Sequence, residues 1–136
     1  QPCEFMDKDG YVFDQAPFFS GEVYFRFYGP LTEYYFAKDN FKNLVLFIEN
    51  LKRINLTPVA LVLREDFEVD IYLSSNSLSL SSPKIIFSQK DDLEKIFQNL
   101  KSSLDSEPLV NNIKTNYSNL EYLDLRFQNK VYYKWR

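Results

Sequence analysis

Residues 120–136 read LEYLDLRFQNKVYYKWR, from Leu120 to Arg136. Leu123, Leu125 and Phe127 fall on one face of an extended chain and Asp124 and Arg126 on the other, because side chains alternate along a strand. After Gln128-Asn129-Lys130 the alternation resumes, with Val131, Tyr133 and Trp135 on one face and Tyr132 and Lys134 opposite. The pattern predicts a β-hairpin that closes the chain. A two-residue loop places Leu125 across from Tyr132, and a three-residue loop places Phe127 across from Val131. Gln-Asn-Lys is not a diagnostic turn, so the register stays open. What lies beyond the second strand decides whether its edge is a binding site.

Working back toward the start, each helix has its own signals. Asp91-Asp92 suit the first turn of a helix, where carboxylates favour the dipole, and Leu93, Ile96, Phe97, Leu100 and Leu104 form its apolar stripe. Asp39 or Asn40 suits the cap of an earlier helix with Phe41, Leu44, Val45, Ile48 and Leu51 at helical spacing, ending near Arg53. Between the helices, Pro58 leads into the wholly apolar run Val59 to Leu63, which predicts a central strand covered on both faces. Glu65-Asp66 turns the chain. Phe67, Val69, Ile71 and Leu73 then alternate with Glu68, Asp70 and Tyr72, and Ile85 to Phe87 makes a further strand. Ser74 to Ser82 reads as a surface connection, with Leu78 and Leu80 as a short strand within it. At the front, Cys3 to Met6 and Tyr11 to Phe13 flank a turn containing Gly10, and Val23 to Tyr28 forms a strand stopped by Gly29-Pro30. The fold class expected is α+β: a mainly antiparallel twisted sheet, two helices packed on one face, and a C-terminal hairpin. Residues 1–136 read as one domain. Because the chain starts at Gln1, it is expected to be a piece of a longer protein.

Composition narrows the chemistry. Net charge is −3 and no basic stripe stands out, which argues against nucleic acid as a partner. The chain has no histidine, so Ser-His-Asp and Cys-His machinery cannot exist and the commonest metal ligand is missing. Cys3 is the only cysteine and reads as a small hydrophobe at a strand start. Asp7-Lys8-Asp9-Gly10 invites a calcium reading. With Gly10 at the sixth position of such a loop, however, the first position is Phe5 and the twelfth Ala16, so two ligands are lacking. A tight turn explains the same residues. The carboxylate pairs Asp7/Asp9, Glu65/Asp66 and Asp91/Asp92 sit at turns or a helix start, where acidic residues are expected in any case. No metal and no cofactor is expected. Aromatics make up 18% of the chain, and Tyr34-Tyr35-Phe36 is the group that core packing explains least well.

Two motifs near opposite ends of the chain resemble those of the FtsQ/DivIB family of bacterial cell-division proteins. The extracytoplasmic β domain of that family closes on a Tyr-x-Asp-Leu-Arg-aromatic strand, a turn and a last strand. Here these are Tyr122-Leu123-Asp124-Leu125-Arg126-Phe127 and Val131 to Trp135. The family's front hairpin, apolar-Asp-x-x-Gly-x-x-Phe, is matched by Met6-Asp7-Lys8-Asp9-Gly10-Tyr11-Val12-Phe13, followed by Ala16-Pro17. The middle of the chain matches only in its order of helices and strands. Family members carry a cytoplasmic tail, a membrane span and a small polypeptide-transport-associated domain ahead of the β domain, and none of these is in the sequence.

The resemblance implies a divisome scaffold in septum formation, not an enzyme. It implies a location on the extracytoplasmic face of the cytoplasmic membrane, with a single-pass anchor outside this chain. It implies FtsB/DivIC- and FtsL-like bitopic proteins as partners, one of which adds a strand to the last edge of the sheet. On this sequence Val131, Tyr132, Tyr133, Lys134 and Trp135 would supply the backbone edge. Arg126 would pair with a partner carboxylate, and Phe127 and Trp135 would line an apolar pocket. Two other readings predict different surfaces. A carbohydrate or cell-wall binding module would use exposed Tyr34, Tyr35 and nearby aromatics. A small carboxylate enzyme would need two acidic groups converging in a cleft.

Overall fold

The computed structural model describes residues 3–17, 24–74, 82–106, 119–127 and 129–136. The strands are β1 (Cys3–Met6), β2 (Val12–Ala16), β3 (Arg26–Tyr28), β4 (Leu31–Thr32), β5 (Tyr35–Phe36), β6 (Pro58–Leu63), β7 (Glu68–Leu73), β8 (Lys84–Ser88), β9 (Leu120–Phe127) and β10 (Lys130–Trp135). The helices are α1 (Phe41–Arg53) and α2 (Leu93–Leu104). A six-stranded sheet runs in the order β10-β9-β8-β7-β6-β3, and β1-β2 and β4-β5 form two small ribbons. Within the large sheet β3 and β6 run parallel, as do β8 and β9, and the remaining pairs are antiparallel. The fold is α+β, as expected, and it ends in the β9-β10 hairpin.

Strand alternation divides the sheet into two unlike faces. Val69, Ile71, Ile85, Phe87, Leu61, Leu123 and Leu125 pack with Leu44, Phe47, Ile48 and Leu51 of α1 and Ile96, Phe97 and Leu100 of α2 in one core. Phe47 bridges the layers, 4.7 Å from the Phe87 ring and 6.2 Å from the Phe97 ring. Each helix formed where its apolar residues recur every three or four positions, and burying such a stripe supplies most of a short helix's stability. The Asp92 side chain caps α2 by accepting from the Lys95 amide at 3.2 Å. At α1 the cap position belongs to Asn40, but its side chain donates instead to Gln89 Oε1 at 3.2 Å.

Three strand expectations need correction. The apolar run in β6 is not central: it lies beside the edge strand β3, and only Pro58 and Leu61 within it are buried. The middle of the sheet is β7 and β8, where Ile86 is buried outside the helix-facing core, opposite Asp70. Phe67 does not continue the alternation of β7. It sits with Asp66 in the preceding turn at positive φ (64° and 59°) and is half-exposed beneath Lys90, whose Nζ lies 4.1 Å from its ring centre. The strand expected over Val23 to Tyr28 is limited to Arg26–Tyr28 among the described residues. Within the serine-rich stretch, residues 75–81, Leu78 and Leu80 among them, lie outside the described residues.

The terminal hairpin starts in the two-residue-loop register and then leaves it at a bulge. Phe127 opposes Lys130 at the loop end, but Tyr132 opposes Asp124, Tyr133 opposes Leu123, Lys134 opposes Tyr122 and Trp135 opposes Leu120. β9 therefore bulges twice, holding one residue more than β10 around Leu125/Arg126 and another at Glu121. The second bulge returns Leu120 to the core face. The first moves Phe127 off the Leu123/Leu125 face, so the expectation that these three share a face fails at Phe127.

Candidate functional site

β10 is the outermost strand at its end of the sheet, and its only partner among the described residues is β9. An outermost strand leaves alternate N–H and C=O groups without a ladder partner. The side chains flanking that edge divide by face. Lys130, Tyr132 and Lys134 stand on the helix-free face, as Tyr132 opposite Asp124 requires. Val131, Tyr133 and Trp135 stand on the helix face, where Val131 and Trp135 pack against the core.

The aromatics form two separate pairs. Phe127 and Tyr132 meet edge-to-face at 4.9 Å on the helix-free side, 50% and 48% exposed. Tyr133 and Trp135 meet at 6.1 Å on the helix side. Phe127 lies at the Lys130 end of β10 and Trp135 at the Leu120 end. Five residues of strand separate those ends, roughly 17 Å. Phe127 and Trp135 therefore do not line one pocket; each belongs to its own aromatic pair, one above and one below the edge.

Arg126 is also not where the sequence placed it. Its guanidinium turns inward and clamps Asp124: Nε donates to Oδ1 at 2.9 Å and Nη2 to Oδ2 at 2.7 Å. The Arg126 amide also donates to Asp124 Oδ1 at 3.0 Å. Nη1 reaches Glu68 Oε1 at 3.5 Å. The hydrogen bond to Asp124, followed by the charges of Asp124 and Glu68, holds the Arg126 pKa above its ordinary value against the opposing effect of burial. Asp70 repeats the arrangement two strands away, with Arg64 Nε at 2.8 Å and Lys84 Nζ at 3.5 Å. The carboxylates of Asp70 and Asp124 are almost fully buried, so these cations neutralise them where water cannot. The alternation of β7 and β9 placed both aspartates on the helix-free face. It carried no signal that they would be buried: alternation does not report that Arg126, two residues along the same strand, folds back on Asp124, or that Arg64 and Lys84 converge on Asp70.

The other candidate residues separate cleanly. Asp7 Oδ1 accepts from the amides of Asp9 (2.9 Å) and Tyr11 (3.0 Å), so that carboxylate builds its own turn. Among the described residues no group of three or more His, Cys, Asp or Glu side chains is placed to hold a metal ion. Tyr34, Tyr35 and Phe36 do not share a surface. Phe36 is core, Tyr35 meets the Tyr11 ring at a tilt with centres 5.2 Å apart, and Tyr34 stands exposed at the β4-β5 turn. No described helix is long and apolar enough to cross a membrane. No protein-family model matches the chain, and no curated protein matches it.

Proposed function

We propose that this chain is a non-enzymatic scaffold of the FtsQ/DivIB type, which takes up a strand of a small bitopic division protein along β10. The observation that carries this reading is the position of β10: outermost in the sheet, six residues long, and flanked on both faces by partly exposed aromatics. An added strand would be gripped by Phe127 and Tyr132 on one side and by Tyr133 and Trp135 on the other. Five or six net backbone hydrogen bonds at ~1 kcal/mol each barely offset the loss of freedom on association. All four flanking aromatics buried by the partner, ~2 kcal/mol apiece, would bring binding to about micromolar. Anchoring both proteins in one membrane would make that affinity sufficient.

In this reading Arg126 positions the strand through Asp124 and does not touch the partner, and the pair to mutate is Phe127 and Tyr132. The test is a titration of the chain with the extracytoplasmic segments of FtsB/DivIC- and FtsL-type proteins. Wild type is expected to bind, and Phe127→Ala and Tyr132→Ala, folded by circular dichroism, to bind at least tenfold more weakly. Equal binding by both variants would remove the edge from the interface.

A further inference from the structure

The β1-β2 ribbon stands apart from the large sheet and presents a second open strand. β1 pairs only with β2 among the described residues, and Cys3, Glu4 and Phe5 are all exposed. Phe5 stacks on Phe13 at 6.4 Å, and the two are 38% and 59% exposed. A two-stranded ribbon is at best marginal on its own, so an edge that remains open along an exposed apolar pair is a place for further pairing.

Charge distinguishes the two open edges. The ribbon is acidic on both strands: Glu4 on the open β1 and Asp14 on β2 are exposed, and no described cation pairs with either. The β10 edge is basic, carrying Lys130 and Lys134; among the described residues Lys134 is held by an exposed contact to Glu121 at 3.3 Å. Along β1 the order is Cys3, Glu4, Phe5, apolar on one face and acidic on the other. Along β10 it is Tyr133, Lys134, Trp135, aromatic on one face and basic on the other. With Glu4 opposite Lys134, Cys3 and Phe5 fall opposite the two aromatics whichever way the strands run. Pairing β10 with a second β10 would oppose lysines, and pairing β1 with a second β1 would oppose glutamates.

We propose that the β1 edge of one copy docks on the β10 edge of a second copy, head to tail. Such a contact uses different patches on the two partners, so it continues into a ring or an open row rather than stopping at a dimer. It occupies the same edge as the strand-addition reading, with a different occupant and a readout that needs no partner segment. Four residues of β1 make it weak, in the high-micromolar to millimolar range. It serves only where copies are crowded, and there it masks β10.

Sedimentation velocity of the chain alone, from ~10 µM to ~1 mM in low salt, tests this. The weight-average sedimentation coefficient is expected to rise with concentration, and ~0.5 M salt to suppress the rise several-fold. Glu4→Lys and Lys134→Glu are each expected to abolish it, because each brings like charges together. Mixing the two variants is expected to restore it, since every contact between unlike copies is again a carboxylate against an ammonium. Wild type that stays monomeric throughout overturns the proposal. So does association that survives either reversal, or a mixture that stays monomeric. Binding of a division-protein segment at low micromolar chain, where copies are apart, is scored separately, so either reading can fail alone.

Discussion

Replacing Arg126 with alanine removes both side-chain hydrogen bonds to Asp124, at 2.9 and 2.7 Å, and the longer contact to Glu68 at 3.5 Å. Asp124 keeps one donor, the amide of residue 126. Its carboxylate, 6% exposed, is then a buried charge without a counter-charge. Losing one partner of a buried pair costs about 3–5 kcal/mol. Here the arginine side chain is itself 35% exposed, so water entering the vacated space lowers the loss to about 2–3 kcal/mol. Urea denaturation at neutral pH reads it as a lower midpoint with an unchanged slope. Arg126→Lys keeps the charge but loses the fork, and about half the loss should remain. Asp124→Leu combined with Arg126→Leu removes charge and counter-charge together and should recover most of the stability. The Arg126 pKa is raised on folding, so its linked stability is complete below the ordinary arginine value and is lost only as pH climbs above it. Below that range this group gives no pH dependence. A midpoint for Arg126→Ala within error of wild type would refute the inward clamp. If a folded Arg126→Ala lost partner binding while a folded Asp124→Asn, which weakens the same clamp, kept it, Arg126 would return to the interface.

Trp135→Ala should lower stability by about 2 kcal/mol as well as weaken binding, because Trp135 packs on the core; Phe127→Ala, half-exposed, should change the melting temperature little. Thermal melts alongside the titrations separate the two effects. Gly10→Ala should destabilise by about 3 kcal/mol in the same urea assay. Gly10 has φ +84°, and an added Cβ would lie 2.8 Å from the Phe36 carbonyl oxygen and 2.9 Å from Phe41 Cγ. Tyr34→Gly relieves a positive φ of 69° in the two-residue β4-β5 turn and should stabilise by about 0.5 kcal/mol. It should leave edge binding intact, and a loss of glycan binding in this variant would instead favour the carbohydrate reading.

Local patterns carried the helices and most of the strands. The α1 stripe ended at Arg53 as its spacing indicated, and the terminal alternation gave the hairpin. What local pattern could not carry was anything depending on a count across two strands. Alternation assigns faces only while both strands advance together. One extra residue near Arg126 was enough to send Phe127 to the opposite face. The Arg126–Glu68 contact spans 58 positions, and no neighbour of either residue announces it. The apolar run of β6 misled for a related reason: β-branched and leucine side chains suit a strand anywhere, and its place beside β3 is set by a parallel pairing with Arg26–Tyr28. Phe67 looked like a fourth core residue of β7 because hydrophobicity does not report φ.

The large sheet has two ends, and they are not equivalent as templates. β3 at one end is three residues long, roughly 10 Å, and β10 at the other is six, roughly 20 Å. A three-residue strand offers about two to four outward hydrogen bonds. At ~1 kcal/mol each these fall well short of what association costs, whatever the sequence of the incoming strand. β10 passes that threshold only with side-chain help, and its lysines oppose a strand carrying basic residues at the matching positions. The charges of this edge thus weigh against only those strands that are basic at the matching positions. In the strand-addition reading, further selectivity would come from the aromatics on its two faces, because an incoming backbone is the same for every strand.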